Sequence, residues 1–357
     1  MKRRESGFSL LELLIALVIV AVVLAAASTF FIGMVKQYKV QTKITESNVE
    51  GILGLELLRQ DVESLGFGLP WNGTFSYTER ATGASVLNAL NDAPSNAPRA
   101  IVSIDNSPLG INNGSDYLVI KSALVGTDAA AGKWTTLRAE EGTRPWGSTE
   151  EDLASTDRVI VLAPGGSATD QRVLLTPFQG VGFDSLSAYV PANEFQTNIV
   201  YGIGSQSLRF PFNRADYYID NSEYPIPRHC APITGTLVKR VVSHVTGALE
   251  DPLPLLDCVA DFQVIFGLDS NADRLVDSWD TSMPGLTADQ IRTQLVEVHV
   301  NILVQQGQRD DSYRYPNATV YVGDNTIGGG RDFDVSLYPN YRWKLYSIVV
   351  KPRNLAN

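Results

Sequence analysis

The sequence has few of the residues that enzymes and metal sites most often use. Its three histidines, His229, His244 and His299, lie far apart and show no metal-ligand spacing. The sequence also lacks a Gly-x-Ser-x-Gly nucleophile elbow, a P-loop and a dinucleotide fingerprint. We therefore expect that the protein is not an enzyme, and we assign it no certain cofactor.

Positive charge is scarce relative to negative charge. The chain has 29 lysine and arginine residues against 39 aspartate and glutamate residues, a formal net charge of -10. Because an acidic surface repels phosphates, this balance excludes nucleic acid as a partner. The excess of acid keeps the domain soluble.

Formal charge is almost absent near the N-terminus. Between Ser6 and Lys36 the only charged residue is Glu12, and the 23 residues Leu13–Val35 carry no formal charge. That length is sufficient for a helix to cross a bilayer. Because the basic residues 2–4 precede the segment, the positive-inside rule keeps them in the cytoplasm and sends the rest of the chain across.

Three kinds of segment have this composition. A secretory signal peptide has a shorter apolar core and a small-residue cleavage site, which Ala25–Ala27 imitates, but here the apolar run continues through Ile32. A plain membrane anchor explains the length but not Glu12, because a carboxylate in an apolar helix requires a partner. The third kind is a helix that leaves the bilayer and packs against copies of itself.

The residues Gly7-Phe8-Ser9-Leu10-Leu11-Glu12 favour the third kind. They resemble the prepilin cleavage motif of type IV pilins and of type II secretion pseudopilins. The resemblance implies that a prepilin peptidase cuts between Gly7 and Phe8 and N-methylates the new amine of Phe8. Glu12 would then pair with the Phe8 amine of its own helix or of an adjoining subunit, which offsets the free-energy cost of a charge in an apolar environment.

The pattern beyond the apolar run predicts that the same helix continues outside the membrane. Apolar residues recur at three- and four-residue steps: Val40, Ile44, Ile52, Leu55, Leu58, Val62 and Leu65. The stretch Gly66–Pro70 then has helix-stop chemistry. We predict one helix of about 55 residues, of which one half lies in the membrane and the other half packs on a globular head.

The rest of the chain predicts an α+β fold of the pilin-like type, with the helix packed on an antiparallel sheet. Alternating apolar residues predict strands at Tyr117–Ser122, Arg158–Leu162, Ser207–Phe212, Val238–Val245, Cys258–Phe266, Val296–Val304 and Arg342–Val350. The predicted divisions are a leader peptide 1–7, a transmembrane and filament-core helix 8–35, an amphipathic helix 36–66, a β-rich insertion or second lobe 67–230, and the pilin-type sheet 231–357.

Two C-terminal stretches resemble PilW-type minor pilins. They are Val259–Asp273, with the sequence VADFQVIFGLDSNAD, and the terminal segment Tyr341–Asn354. The resemblance implies a minor subunit of a type IV pilus that joins other minor pilins and the major pilin in a priming complex. It implies that the subunit waits in the inner membrane with its head in the periplasm, then stays at the filament tip and helps to present a large tip adhesin.

Two alternative functions remain open at this point. The first is a type II secretion pseudopilin at the tip of a pseudopilus, which has the same structural class. The second is a membrane-tethered adhesin whose 71–230 region binds a sugar or another surface ligand.

The chain has only two cysteines, Cys230 and Cys258. The membrane segment places both outside the cytoplasm, where a pair of thiols tends to oxidise. We predict a disulfide between them, which closes a loop of about 29 residues and contributes roughly 3 kcal/mol. The alternative is two buried, reduced thiols.

The acidic segment after residue 268 has the spacing of an EF-hand-like calcium loop. Positions 1, 3, 5, 9 and 12 carry side-chain oxygens and position 7 offers a backbone carbonyl: Asp269, Asn271, Asp273, Asp277 and Asp280, with Leu275 at position 7. Arg274 stands where glycine normally allows the sharp turn, and position 12 is Asp rather than the longer Glu. Two interpretations stay open: a Ca²⁺ site, or a solvated acidic hairpin loop.

Overall fold

The computed structural model describes residues 9–80, 85–106, 114–165, 171–222, 226–283 and 285–355, so Gly7 and Phe8 lie outside the described residues. The first element is a 54-residue helix α1, Leu10–Glu63. Ser9 caps its first turn in a capping box with Glu12, which satisfies backbone N–H groups that have no intrahelical partner. The helix ends at Ser64, and Gly66 follows in the left-handed conformation with φ of 69°. The prediction of one long N-terminal helix is confirmed.

An eight-stranded antiparallel sheet forms the body of the head. The strands of this main sheet are β1 Ile101–Ile104, β2 Tyr117–Ser122, β9 Asn213–Asp220, β10 Gly235–Val241, β11 Leu253–Leu268, β12 Ser278–Asp280, β13 Leu295–Gln306 and β16 Arg342–Val350. Their order in the sheet is β1-β2-β9-β10-β11-β13-β16, with β12 paired to β11. The short helices are α2 Ser85–Asn88 and α3 Ala288–Gln294. This arrangement confirms the α+β pilin-like fold class.

A second sheet of six strands has the order β4-β3-β8-β5-β6, with β7 paired to β5. Its strands are β3 Trp134–Arg138, β4 Gly142–Thr143, β5 Arg158–Ala163, β6 Val173–Leu174, β7 Val181–Gly182 and β8 Thr197–Gly204. Two 3₁₀ turns, Phe183–Ser185 and Ser187–Tyr189, lie between β7 and β8. The strands β14 Thr319–Asp324 and β15 Gly329–Asp334 form a separate two-stranded hairpin in the C-terminal part of the chain, before β16.

The region 67–230 does not form one insertion, which corrects the predicted division at residue 230. Its strands β1, β2 and β9 extend the main sheet, and β3 to β8 alone form the second sheet. Every residue of β2 is buried, because this strand lies inside the main sheet and is covered on both faces. The stretch Ser207–Phe212 is also not a strand: it is an irregular segment before β9 whose Phe210 and Phe212 fill the core.

The face of α1 that packs on the main sheet differs from the predicted apolar stripe. Leu58, Val62 and Leu65 are buried as the periodicity predicts, but Ile52 is 63% exposed. In the helix turn that contains Ile52, the residues that contact the main sheet are Gly51 and Gly54. A Cβ atom added to Gly54 would lie 1.7 Å from the carbonyl oxygen of Leu255. The missing side chain therefore lets the helix backbone approach the strand backbone closely.

Candidate functional site

The N-terminal part of α1 is an apolar rod that the head leaves uncovered. The stretch Leu10–Thr45 is long and apolar enough to cross a membrane, and none of its most apolar part is buried within the chain. Large side chains along it, such as Leu10, Leu24 and Phe30, are 82%, 62% and 70% exposed. Such a surface in one stretch requires lipid or another protein as its environment.

Glu12 lies in the first turn of this rod. One of its carboxylate oxygens accepts a hydrogen bond of 3.0 Å from the backbone N–H of Ser9, and the Ser9 hydroxyl accepts one of 3.3 Å from the Leu11 N–H. The helix dipole also favours a negative charge at this end. Pairing of Glu12 with the Phe8 amine involves a residue outside the described part of the chain and stays a prediction.

Three apolar side chains on the outward face of α1 are exposed beside the head. Ile52, Leu53 and Leu57 are 63%, 68% and 42% exposed, although they stand next to the head. At about 100° per residue, Ile52 and Leu53 point away from the sheet-facing Gly54 and Leu58. We call these three residues the outer apolar patch. Because the patch lies beside the head, outside the membrane-spanning part, it exposes apolar surface to water.

A ladder of charges borders the outer apolar patch. Arg59 donates to Glu56 over 2.6 Å and 2.8 Å and to Glu63 over 3.0 Å. Hydrogen bonds from Arg59 lower the pKa of Glu56 to about 2. Arg353 also pairs with Glu63, and its backbone N–H donates to the Glu63 carbonyl over 3.0 Å. The ladder therefore ties the end of α1 to the C-terminal segment that follows β16.

A buried charge cluster, which sequence reasoning missed, holds the segment after α1 onto the main sheet. Lys121 Nζ and Arg214 Nη1 each lie 2.9 Å from Glu79 Oε2, and Arg214 Nε lies 2.8 Å from Asp216 Oδ1. All four side chains are fully buried, and Lys121 also pairs with Asp92. Burial alone would raise the pKa of Asp216, but the Arg214 guanidinium holds it below its ordinary value. Because Glu79 lies 135 residues before Arg214 in the sequence, no local pattern signals the contact between them.

Arg172 joins the second sheet to both ends of the pilin-type core. Its guanidinium donates to the Gly66 carbonyl over 2.8 Å and to the Asn354 carbonyl over 3.1 Å. The same group stacks on Trp71 at 4.3 Å, and Arg292 contacts that indole ring at 4.4 Å. These contacts fix how the second sheet sits relative to the end of α1.

The two cysteines form the predicted bridge. Cys230 and Cys258 are disulfide-bonded with a Cα–Cα distance of 5.1 Å, which confirms the disulfide. Cys258 lies in β11 and adopts a positive φ of 55°, next to a register irregularity between Val259 and Asp261. The disulfide therefore attaches the loop before β10 to β11, a strand on which α1 packs.

The acidic loop is closed by its own hydrogen bonds. Asp269 accepts backbone N–H groups of Asn271, Ala272 and Arg274 over 3.0, 2.6 and 2.6 Å. Arg274 has a φ of 68°, so it adopts the left-handed conformation that glycine usually supplies.

The remaining predicted calcium ligands also bond within the loop or the sheet. Asp277 accepts from Ser270, whose hydrogen bonds lower the pKa of the carboxyl, and Asp273 accepts the Leu275 N–H over 2.8 Å. Asp280 lies in β12 opposite Phe266. Within the described residues, the one group whose ligand atoms are gathered as in a metal site is His229, Cys230 and Cys258, and those cysteines are disulfide-bonded. Calcium binding by the loop stays a prediction.

Two family models match the chain. Residues 2–28 match the prokaryotic N-terminal methylation motif, and residues 216–354 match the type IV pilus-assembly protein W. No significant match was found among curated proteins or among solved structures. The first match covers the start of the apolar rod, and the second covers the strands on which α1 packs. The two matches together therefore support a PilW-type minor pilin associated with the type IV pilus.

Proposed function

We propose that this minor pilin belongs to a priming complex that starts pilus assembly and then remains at the filament tip. Prepilin peptidase cleaves the chain after Gly7 and methylates Phe8, while α1 holds the subunit in the inner membrane with its head in the periplasm. The subunit then leaves the bilayer and packs against the helices of other minor pilins and the major pilin. At the tip it helps to present a large adhesin.

The observations that carry this proposal are the uncovered apolar rod and, beside the head, the outer apolar patch. Moving the membrane half of α1 from lipid to a helix bundle gains little hydrophobic free energy, because lipid is as apolar as the bundle. The outer apolar patch differs, because water covers it until a partner arrives. Fully burying an exposed Leu or Ile stabilises by about 1.5–3 kcal/mol, so the three side chains can supply several kcal/mol toward assembly.

The second sheet is the part of the head that we assign to partner contact at the tip. It stands beside the pilin-type sheet, and Arg172 links it to Gly66 and Asn354 of that core. Because the second sheet is rigidly attached, its orientation follows that of the filament end. A partner bound to the second sheet is therefore held in a fixed position there. The alternatives use the same geometry: a pseudopilin at a type II pseudopilus tip, or a tethered adhesin whose second sheet binds a ligand directly.

Incorporation of a charge variant into filaments tests the proposal. Glu12→Val removes the carboxylate, and Glu12→Gln keeps its size without its charge. Both variants should reach the membrane at normal amounts but fall sharply in sheared filaments. Asp251→Asn, at an exposed carboxylate between β10 and β11 of the main sheet, should be recovered like the wild type. Normal recovery of Glu12→Gln would rule out a charge-dependent assembly role.

A further inference from the structure

A cleft of about 970 Å³ separates α1 from the head at the level where the helix leaves its apolar run. The helix side carries Lys36 and Lys39, with Phe30 and Met34 at the apolar end. The head side is the loop after β13, residues 308–312, together with Arg342 of β16. The cleft is therefore cationic on the helix wall and apolar toward the membrane segment.

The position of the lysines fits the surface of a bilayer. Lys36 is the first charged residue after the 23 uncharged residues Leu13–Val35. Cations on the far side of a membrane segment run against the positive-inside bias, and a contact with an anionic headgroup offsets that bias. Long lysine side chains reach headgroup phosphates while their carbon stems stay on apolar surface.

The acidic residues of the cleft are already engaged. Asp310 accepts from the Ser312 hydroxyl over 2.5 Å and from Arg342 over 2.8 Å, and these bonds lower its pKa. Asp311 pairs with Arg309 at 2.9 Å. Within the described part of the chain, neither Lys36 nor Lys39 forms an ion pair.

We propose that this cleft binds one acidic phospholipid of the periplasmic leaflet while the subunit waits in the membrane. Lys36 and Lys39 hold the phosphate, and the acyl chains follow Phe30 and Met34 into the bilayer. The inference rests on the membrane-stored stage of the proposed function. The subunit then releases this lipid when α1 leaves the bilayer.

Native mass spectrometry of the full chain in detergent tests the site. Phosphatidylglycerol is the probe, and zwitterionic phosphatidylcholine is the comparison lipid. The wild type should retain one phosphatidylglycerol in preference to phosphatidylcholine. The double variant Lys36→Gln/Lys39→Gln should bind phosphatidylglycerol about 30-fold more weakly, because each lysine near an anionic surface contributes about a factor of five.

Lys351→Gln is the matched control, because Lys351 is an exposed lysine at the other end of β16, with a side chain 72% exposed. It should bind phosphatidylglycerol like the wild type. Equal binding of the two lipids, or unchanged binding by the double variant, overturns the site, as does a cleft filled by a second copy of the chain in detergent. Recovery of the wild type in sheared filaments is measured separately, so failure of the lipid site leaves the assembly role intact.

Discussion

Replacing Gly54 with alanine tests how α1 is held on the sheet. The added Cβ would lie 1.7 Å from the carbonyl oxygen and 2.5 Å from the carbonyl carbon of Leu255. Both are backbone atoms of β11, so the strand or the helix has to move. Alanine gains about 1 kcal/mol of helix propensity over glycine. Overpacking costs about 1–3 kcal/mol, and a clash with backbone belongs at the upper end. We expect Gly54→Ala to lower the free energy of unfolding by about 2 kcal/mol.

Gly51→Ala is the matched control one turn earlier on the same face. Its Cβ would meet the Leu256 Cδ1 atom at 3.2 Å and the Tyr346 hydroxyl at 3.7 Å. These are ends of side chains that move easily, so the helix-propensity gain of about 1 kcal/mol is largely kept. The control should therefore be at least as stable as the wild type.

Urea unfolding of the full chain in detergent, followed by tryptophan fluorescence, measures both variants. All five tryptophans lie beyond residue 66, so the signal reports the head. The midpoint should fall for Gly54→Ala and hold or rise for Gly51→Ala, with unchanged slopes. If Gly54→Ala is as stable as Gly51→Ala, the close backbone contact is not what positions the helix.

Four further predictions follow from other parts of the molecule. Leu53→Ser should leave the unfolding midpoint within about 0.5 kcal/mol of the wild type, since the side chain is exposed, yet should reduce recovery in sheared filaments. Burial lowers the pKa of His244 to about 4 from 6.5, so the unfolded state binds more protons between these values. The free energy of unfolding should reach its full value above pH 6.5 and fall by up to about 3 kcal/mol toward pH 4. Unfolding of the His244→Gln variant should not show this dependence on pH. Lys121→Met removes one of the two cations that contact each of the buried Glu79 and Asp92 carboxylates, and Arg214 and Arg99 remain. It should cost about 3 kcal/mol in urea unfolding, against under about 1 kcal/mol for Arg138→Met at an exposed pair. Calorimetric titration with Ca²⁺ should give heat for the wild type and none for Asp273→Ala, and absence of heat in both would end the calcium prediction.

Features set by short stretches of sequence could be predicted. The long helix follows from an apolar run, a repeating apolar spacing and Gly66, all of which act within a few residues. The strands β11 and β13 follow from apolar residues at alternate positions, and β16 follows from a run rich in β-branched and aromatic residues. The disulfide could be predicted because the membrane segment places both cysteines outside the cytoplasm, where a pair of thiols tends to oxidise.

Features that depend on distant partners could not be predicted. Apolar periodicity predicted that Ile52 packs against the sheet, but Gly51 and Gly54 make the close contact there. Because a periodicity argument counts only apolar side chains, it does not detect a contact made by glycine. Strand β2 pairs with β9, about a hundred residues later, so its membership in the main sheet is invisible locally. The fully buried Arg214 pairs with Asp216 of its own strand and with Glu79, 135 residues earlier, and composition alone classes such an arginine as surface.

N-terminal analysis of the protein in sheared filaments tests the central claim most directly. The claim is that an apolar rod with one acid exchanges lipid for the helices of other subunits after its leader has been removed. Mass spectrometry should find a chain that starts at N-methylated Phe8 and is present in the filaments. A chain that keeps residues 1–7, remains in the membrane fraction and is missing from the filaments would contradict the account.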